Sequence, residues 1–419
     1  MFTHNAATWG IAGLATLGVI ARPWNLPEYI WAVTGAVLLI AFDLLPWRDA
    51  VAAAGKGTDV YFFLIGMMLL AEVARKEGLF DWFAELAVKH SRNSASRLFS
   101  IVYAVGTLVT IFLSNDATAV VLTPAVYAAT RAAKVEPLPY LFVCAFIANA
   151  ASFVLPISNP ANLVLFGARM PTLPQWLHYF LLPSIVAIAA TFIMLRLSLR
   201  NSLSGSVDVR DGEPAVLARS AAIVAAGIGA TAAVLLATSA LGLDLGIPTF
   251  ACGAMVTVIV LLLGRTSPLS IARDISWSVL PLVAGLFILV EGLNRTGVLP
   301  ALAEELERTA ARSPHATSWG AGVITAIASN LINNLPMGLI AATTTQAAQA
   351  SHHVTGAILI GVDLGPNLSV TGSLATILWL IALRREGEHV GALRFLQLGI
   401  VVMPPALVLS LLALSLSAS

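Results

Sequence analysis

Twelve long apolar runs, separated by short clusters of charged residues, limit how this chain can fold. They cover residues 8–21, 28–46, 59–76, 97–133, 138–168, 174–199, 216–240, 247–264, 275–295, 318–348, 354–384 and 391–416. An α-helix needs roughly 20 apolar residues to cross a bilayer, and most of the runs approach or exceed that length. Only 11% of the residues are charged, against about 25% in soluble domains. The sequence excludes a soluble enzyme, a disordered chain and a disulfide scaffold, and predicts an all-α polytopic membrane protein.

An internal repeat divides the chain. A shift of 219 residues places Tyr61–Ala87 on Leu280–Leu306 without a gap, with six identical residues among 27, and it also places Asn115 on Asn334. Such a repeat is typical of secondary transporters. The predicted domains are a first repeat at 1–199, a polar linker at 200–219 and a second repeat at 220–419.

Two of the runs are interrupted by polar residues. The interruptions are Ser114-Asn115-Asp116 in one run and Asn333-Asn334-Leu335-Pro336 in its counterpart. We interpret each of these runs as a re-entrant hairpin that returns to its own side, which leaves about five crossings in each half. Because five is odd, the two repeats are predicted to be inverted in the membrane. Amphipathic segments precede both hairpins and predict helices along the interface, at Leu79–Arg97 and Val298–Arg312.

The basic residues predict which side each loop faces. With this topology, 17 of the 23 basic residues fall on one side, and the positive-inside rule makes that side cytoplasmic. The linker 200–219 is then cytoplasmic, and both termini lie outside. The expected location is the inner (plasma) membrane. The first apolar run is predicted to be retained, because no basic residue precedes Arg22 and a secretory signal begins with a basic region.

Two later spans also contain breaks, at Leu155–Asn162 and Asp363–Ser373, each rich in proline or glycine and in polar residues. Non-helical backbone at membrane depth survives only where it is buried in protein or lines a cavity. Paired breaks at matching positions of two repeats therefore predict a transport site. Proline kinks satisfied by neighbouring Ser and Thr are the alternative, but they would be isolated rather than symmetric. The candidate substrate-binding residues are Asn115, Asp116, Asn159, Asn333, Asn334, Asp363 and Ser373.

Two carboxyl groups in these breaks, those of Asp116 and Asp363, have no basic neighbour in the sequence. An ionised carboxylate at mid-bilayer costs about 2.5–3.5 kcal/mol even on the gentlest scale. Both are therefore predicted to carry protons, and a helix-capping role is the alternative. Glu72 and Glu291 also lie in spans, but each has an arginine three or four residues later, so structural ion pairs are at least as good an explanation.

The composition of the breaks restricts the chemical class of the transported molecule. None of the four contains Lys, Arg or His, so a multivalent anion would find no cationic side chain. Cys144 and Cys252 lie in separate runs and are predicted to be buried free thiols, which excludes a three-thiolate site. No nucleotide-binding, catalytic or resident-metal motif stands out, and no cofactor or nucleic-acid partner is expected. The predicted site consists of amides, hydroxyls and two carboxyl groups.

Three motifs carry a resemblance to a known family. LSNDATAVVLTP (Leu113–Pro124), INNLPMGLIAA (Ile332–Ala342) and GVDLGPNLSVTGSLATILWL (Gly361–Leu380) resemble the ArsB arsenite and antimonite efflux pumps of the ion transporter superfamily. The resemblance covers nearly the whole chain. It implies two inverted repeats with hairpins and broken helices, and scaffold helices that form a homodimer.

The resemblance also implies an activity. It implies export of As(OH)₃ and Sb(OH)₃ in exchange for protons and, in some members, a soluble arsenical ATPase docked on the cytoplasmic side. Superfamily members that bind Na⁺ and dicarboxylates carry Ser-Asn-Thr at both hairpin tips, and this chain does not. A Na⁺/H⁺ antiporter, an anion or dicarboxylate transporter of the same superfamily, and a channel for neutral hydroxylated solutes are the alternatives.

Overall fold

The computed structural model describes residues 2–167, 170–205, 207, 217–263 and 267–417, and every regular element within them is helical. The all-α prediction is therefore confirmed. The first half contains α1 (Phe2–Ala21), α2 (Glu28–Ala41), α3 (Trp47–Gly55), α4 (Thr58–Lys76), α5 (Leu79–His90), α6 (Ala95–Leu113), α7 (Asn115–Ala117), α8 (Thr123–Ala132), α9 (Leu138–Ala150), α10 (Pro160–Phe166) and α11 (Leu173–Ser198). The second half contains α12 (Arg219–Ala240), α13 (Gly246–Leu263), α14 (Pro268–Asp274), α15 (Val279–Arg295), α16 (Val298–Arg312), α17 (Pro314–Ile332), α18 (Asn334–Ala347), α19 (His352–Leu364), α20 (Leu374–Arg385) and α21 (Ala392–Ser417).

The two halves present the same order of elements. Helices α6 and α17 each have 19 residues, and α11 and α21 each have 26. The first residues of each pair are offset by the 219 positions found in the sequence, while α9 and α10 match α19 and α20 at an offset of 214 positions. The opposite orientation of the halves stays a prediction. Most of the predicted linker, residues 206 and 208–216, lies outside the described residues.

Several helices are suited to crossing a membrane. Among the described residues, six helical segments are long and apolar enough, and α3 with α4, bent by 49° at a short break, would form a seventh span if the pair crosses the membrane as one. The six are Ala95–Leu113, Leu173–Ser198, Arg219–Ala240, Gly246–Leu263, Pro268–Arg295 and Ala392–Ser417. Helices α2 and α9 are apolar but shorter. The count of about five crossings per half stays a prediction, because it includes such shorter helices.

Glycines bring helices of different halves into backbone contact. A Cβ on Gly253 of α13 would lie 2.4 Å from the backbone oxygen of Gly66 on α4. Gly285, the repeat counterpart of Gly66, meets Ala32 of α2 in the same way, at 2.8 Å from its carbonyl carbon. Small residues permit such close approach between membrane helices. The paired contacts α4–α13 and α2–α15 therefore interlock the two halves.

The amphipathic helices support the hairpins. Helix α5 contacts both α6 and α8, and α16 contacts both α17 and α18, so each touches both arms of the hairpin that follows it. The predicted helix Leu79–Arg97 was too long, because α5 ends at His90. Arg92 and Asn93 have positive φ angles, and the hydroxyl of Ser94 accepts the Arg97 N–H and begins α6. A capping serine thus separates two helices that the sequence pattern had joined.

Candidate functional site

Both predicted hairpin tips are confirmed as breaks. Helix α6 ends before Ser114, with φ 123°, and α17 ends before Asn333, with φ 73°. These φ values are unusual for residues with a side chain. Each of the two side chains then caps the returning arm. Ser114 Oγ accepts the Ala117 N–H at 3.5 Å, and Asn333 Oδ1 accepts the Leu335 N–H at 3.3 Å.

The two broken spans are also confirmed, but their boundaries differ from the prediction. The first break runs from the end of α9 to Asn159, and the predicted break residues Pro160–Asn162 begin α10. Proline suits the first position of a helix, where its missing N–H costs nothing. In the second span Asp363 lies in the last turn of α19 rather than in the break, and Asp116 likewise lies in the short helix α7.

Asn159 and Ser373 occupy equivalent positions in the two broken spans. Asn159 Oδ1 accepts the Ala161 N–H at 3.0 Å and caps α10. Ser373 Oγ accepts the Thr376 N–H at 3.1 Å and caps α20. Together with Ser114 and Asn333, four side chains cap four helix starts at the breaks. Each cap satisfies an N–H group that would otherwise be left without a partner.

Each hairpin is held to the broken span of its own half. In the first half the Ser158 hydroxyl donates to the Ile111 carbonyl at 3.0 Å. In the second half the Asn334 N–H donates to the Gly372 carbonyl at 2.8 Å, and Asn333 Nδ2 donates to the Thr371 carbonyl at 3.2 Å. The tips therefore lie directly beside the breaks.

Buried hydrogen bonds also join the two broken spans across the halves. Asn159 Nδ2 donates to Asp363 Oδ1 at 2.9 Å, with both residues at most 2% exposed. Asn149 Nδ2 donates to Asn367 Oδ1 at 3.0 Å, and Asn367 Nδ2 donates to the Phe146 carbonyl at 3.0 Å. The structure thus brings together candidates from opposite ends of the sequence. Asn115 and Asp116 reach the same region through α7, which contacts α9 and α20.

Two residues outside the predicted set organise the breaks. Asn330 Nδ2 donates to the Ala326 and Gly365 carbonyls at 2.7 and 2.9 Å, while its Oδ1 accepts the Ser369 hydroxyl at 2.7 Å. Asn162 Nδ2 donates to the Ser152 carbonyl at 2.9 Å. The sequence could have indicated both residues, because each is an asparagine inside an otherwise apolar run, and a buried amide needs hydrogen-bond partners.

Several buried side-chain oxygens at the breaks have no protein partner. Five are buried without a hydrogen-bond partner among the described residues: Asn115 Oδ1, Asn149 Oδ1, Asn162 Oδ1, Asn334 Oδ1 and Asp363 Oδ2. An unsatisfied buried polar group costs about 1–3 kcal/mol. The region therefore offers buried hydrogen-bond acceptors. It is suited to a ligand that donates hydrogen bonds.

The acidic residues fall into two groups. Asp116 is half-buried, and within the described part of the chain neither it nor Asp363 has an ion-pair partner. By contrast, Glu72 pairs with Arg75 at 2.6 Å. Glu291 pairs with Lys56 at 2.9 Å and with Arg295 at 3.7 Å. The predicted ion pairs of the two glutamates are therefore confirmed, and the two aspartates remain the uncompensated carboxyl groups.

A crevice of about 900 Å³ lies beside the helices that follow two of the breaks. It lies between α10 and α18 on one side and α4 and α15 on the other. Leu163 and Val164 line it one turn after the α10 cap, and Leu339 lines it from the second hairpin. Its mouth carries Lys56 and Glu291. None of the candidate residues lines the crevice, whose lining on this side comes from α10 and α18, the helices that begin at the first broken span and at the second hairpin tip.

The thiol groups lie elsewhere. Cys144 of α9 and Cys252 of α13 are both free and buried, and they belong to helices of different halves. Over the described ranges no cluster of three or more His, Cys, Asp or Glu side chains could hold a metal ion. The prediction of two buried free thiols is confirmed.

Comparisons with known proteins agree with this architecture. Residues 16–362 match the citrate transporter family (CitMHS). An arsenical pump membrane protein of Yersinia enterocolitica is 30% identical over 369 residues, 85% of each chain. One of Escherichia coli is 28% identical over 414 residues, 96% of each chain. The crystal structure of the Alcanivorax borkumensis YdaH transporter shares the fold, with a TM-score of 0.56 and 16% identity, over 88% of this chain and 86% of that one.

Proposed function

Because the chain belongs to the citrate transporter family, we propose that it is a secondary transporter, and that it exports arsenite and antimonite as As(OH)₃ and Sb(OH)₃ in exchange for protons. The similarity to arsenical pump membrane proteins over most of the chain favours this cargo. In this proposal the protein lies in the inner membrane with the linker 200–219 in the cytoplasm. The crevice then opens outside.

The set of free buried oxygens at the breaks is the observation that carries the proposal. A trihydroxide presents three O–H donors and no charge, so it can satisfy several of these acceptors at once. Citrate needs hydrogen-bond donors or cations, and the four breaks contain no Lys, Arg or His. The same geometry therefore favours a neutral hydroxylated cargo over a polycarboxylate.

Asp116 and Asp363 supply the proton coupling in this proposal. Each is a carboxyl group without a cation, and Asp363 directly contacts the cap of the opposite broken span. One charge moved through 100 mV yields about 2.3 kcal/mol. At about 1.4 kcal/mol per tenfold, one proton per cargo molecule sustains a gradient of roughly fifty-fold.

Reconstitution in proteoliposomes tests the function. Arsenite added to loaded vesicles should drive a counterflow of protons, read with a pH-sensitive dye, and the flux should be the same with and without Na⁺. Citrate should produce none. Since buried oxygens also suit Na⁺, Na⁺-driven proton flux without arsenite would instead identify a Na⁺/H⁺ antiporter. Arsenite movement without any proton flux would identify a channel.

A further inference from the structure

A groove of about 580 Å³ lies between the amphipathic helix α16 and the two arms of the second hairpin. Its apolar walls include Leu302 of α16, Ile324 of α17 and Ile340 of α18. Ile324 is 66% exposed and Leu302 is 46% exposed, so the groove is open at the surface of the molecule. Apolar helix surface at membrane depth is contacted by acyl chains rather than by water, and an unfilled space would lose dispersion contacts.

The groove has the length of one lipid leaflet. Ser313 lies at one end, where α17 begins, and Thr325 lies at the other end, twelve residues further along that helix. At 1.5 Å per residue this distance is about 18 Å, and one leaflet contributes half of the hydrocarbon core, about 15 Å. At the deep end the Thr325 hydroxyl donates to the Ala321 carbonyl at 2.8 Å. The groove therefore matches an acyl chain that enters from the interface.

The interfacial end of the groove carries one uncompensated charge. Two charged residues line the groove, Glu305 and Arg312. Glu305 is paired with Arg308, whereas Arg312 has no ion-pair partner among the described residues. The other carboxylates of α16, Glu304 and Glu307, are not among the lining residues. The free guanidinium favours an anionic headgroup, and a phosphate suits it because arginine can hold two phosphate oxygens at once.

Two hydroxyl groups of the groove are free to donate hydrogen bonds. Ser313 Oγ accepts the Ala316 N–H at 3.4 Å, which leaves the serine proton for a phosphate oxygen. Thr344 Oγ1, in the wall formed by α18, is buried without a partner in the described part of the chain. A buried hydroxyl without a partner is destabilising. An ester carbonyl of a lipid could accept from this hydroxyl and remove that penalty.

We propose that this groove binds one anionic glycerophospholipid of the bilayer, with its phosphate on Arg312 and Ser313 and an acyl chain between α16 and the second hairpin. The lipid then fills the space between α16 and the hairpin that carries Asn333 and Asn334. The groove lies outside the candidate transport site. The inference requires only that these helices lie in a membrane, and it does not depend on the cargo.

The first hairpin lacks this combination of features. At the offset of 219 positions, Arg312 corresponds to Asn93 and Gly320 corresponds to Ile101. Ile101 packs against the core, whereas a Cβ on Gly320, which lines the groove, would meet nothing within 4 Å. The first half has neither the cation nor the open space at these positions. The lipid site is therefore expected in the second half alone.

Native mass spectrometry tests the site by counting retained lipids. The full-length protein is reconstituted in nanodiscs of phosphatidylethanolamine with phosphatidylglycerol as the minor component, and is then transferred to mild detergent. Each parent chain should retain one phosphatidylglycerol. Gly320→Phe places a ring in the open space of the groove and should abolish this retention. Gly229→Phe is the matched control, because a Cβ at Gly229 of α12 also meets nothing within 4 Å, and it should behave as the parent.

Replacing the guanidinium tests the headgroup contact. One arginine near an anionic surface contributes about 1 kcal/mol, which corresponds to a factor of about five in affinity. Arg312→Gln should therefore lower the retained ratio of phosphatidylglycerol to phosphatidylethanolamine by about five-fold. Arg48→Gln makes the same change at an exposed arginine outside the groove and should leave the ratio unchanged.

Fluorescence quenching locates the lipid independently of these variants. A parent with Cys144→Ala and Cys252→Ala carries a bimane label at Ile324→Cys, on the edge of the groove. Phosphatidylglycerol with brominated acyl chains should quench this label more strongly than brominated phosphatidylethanolamine at the same mole fraction. A label at Val258→Cys, on α13 with 52% exposure, should be quenched equally by the two lipids.

Three results would overturn the inference. The first is phosphatidylglycerol retention in a folded Gly320→Phe variant equal to that of Gly229→Phe. The second is a lipid ratio that Arg312→Gln does not alter. The third applies even if Gly320→Phe fails to insert, and it is equal quenching of the Ile324→Cys label by both lipids. A wrong cargo is a separate result, because it would appear as absent arsenite-dependent proton flux and would leave lipid retention unchanged.

Discussion

Replacing the carboxyl group of Asp363 by an amide separates the binding of arsenite from the coupling of its export to protons. Asp363→Asn keeps the size of the side chain and keeps an oxygen to accept the Asn159 Nδ2–H, now 2.9 Å from Asp363 Oδ1. A hydrogen bond to a charged group contributes about 1.5–3 kcal/mol and a neutral one about 0.5–1.5. The contact between the two broken spans therefore loses only about 1 kcal/mol, so the variant should fold and still bind arsenite. The amide cannot take up and release a proton, so uphill export should stop.

The steady-state gradient is the quantity to measure. In everted vesicles energised to about 100 mV, the parent should accumulate radiolabelled arsenite roughly fifty-fold for each coupled proton, and Asp363→Asn should accumulate none. Asp43→Asn is the matched control. It makes the same chemical change at an exposed residue with φ 54°, a conformation that asparagine tolerates, and should behave as the parent. A full gradient held by Asp363→Asn would refute the assignment and leave Asp116 as the remaining carrier.

Three further outcomes are expected. Asn115→Ala and Asn334→Ala should each reduce arsenite efflux at least ten-fold, because each removes a buried free oxygen at a hairpin tip. The amounts of folded protein in the membrane should stay normal. Efflux at the parental rate in the double variant would contradict this role. Replacing Cys144 and Cys252 together by Ala should leave efflux within about two-fold of the parent, and its loss in a folded variant would indicate thiol ligation. A reporter enzyme inserted in the linker 200–219 should be active in the cytoplasm and one fused at the C-terminus should be active outside, whereas both on one side would exclude inverted repeats.

The hairpins and breaks could be located from sequence because polar residues stand out inside apolar runs. Helices α6 and α17 end at Ser114 and Asn333, where the polar interruptions of the two runs predicted. The exact ends were less predictable. Pro160 looked like a helix breaker, yet it begins α10 because proline is tolerated at a first helical position.

Contacts between distant segments left no signal in the sequence. The repeat indicated that Asn159 and Asp363 lie in comparable breaks, but it could not indicate that their side chains meet. Helix α4 packs against α13 of the other half at a point where Gly66 and Gly253 allow the two backbones to approach closely. The sequence could not indicate this contact, because a glycine in an apolar run has several possible roles. The crevice likewise depends on the relative position of four helices, which no local pattern encodes.

The interlocking of the two halves has a consequence for biosynthesis. Asn149 and Asn367 form a buried hydrogen bond although 218 residues separate them, and the most extensive helix contact of α4 is with α13 of the other half. Ribosomes add about 5–20 residues per second, so the first half waits roughly 10–40 s in the bilayer before its partners emerge. During that interval the helix faces that carry glycines, and the asparagine side chains at the breaks, can contact only lipid, water or the insertion machinery. A chain that stops after the first repeat never acquires those partners, and it should be removed by membrane proteases rather than persist as a half-sized carrier.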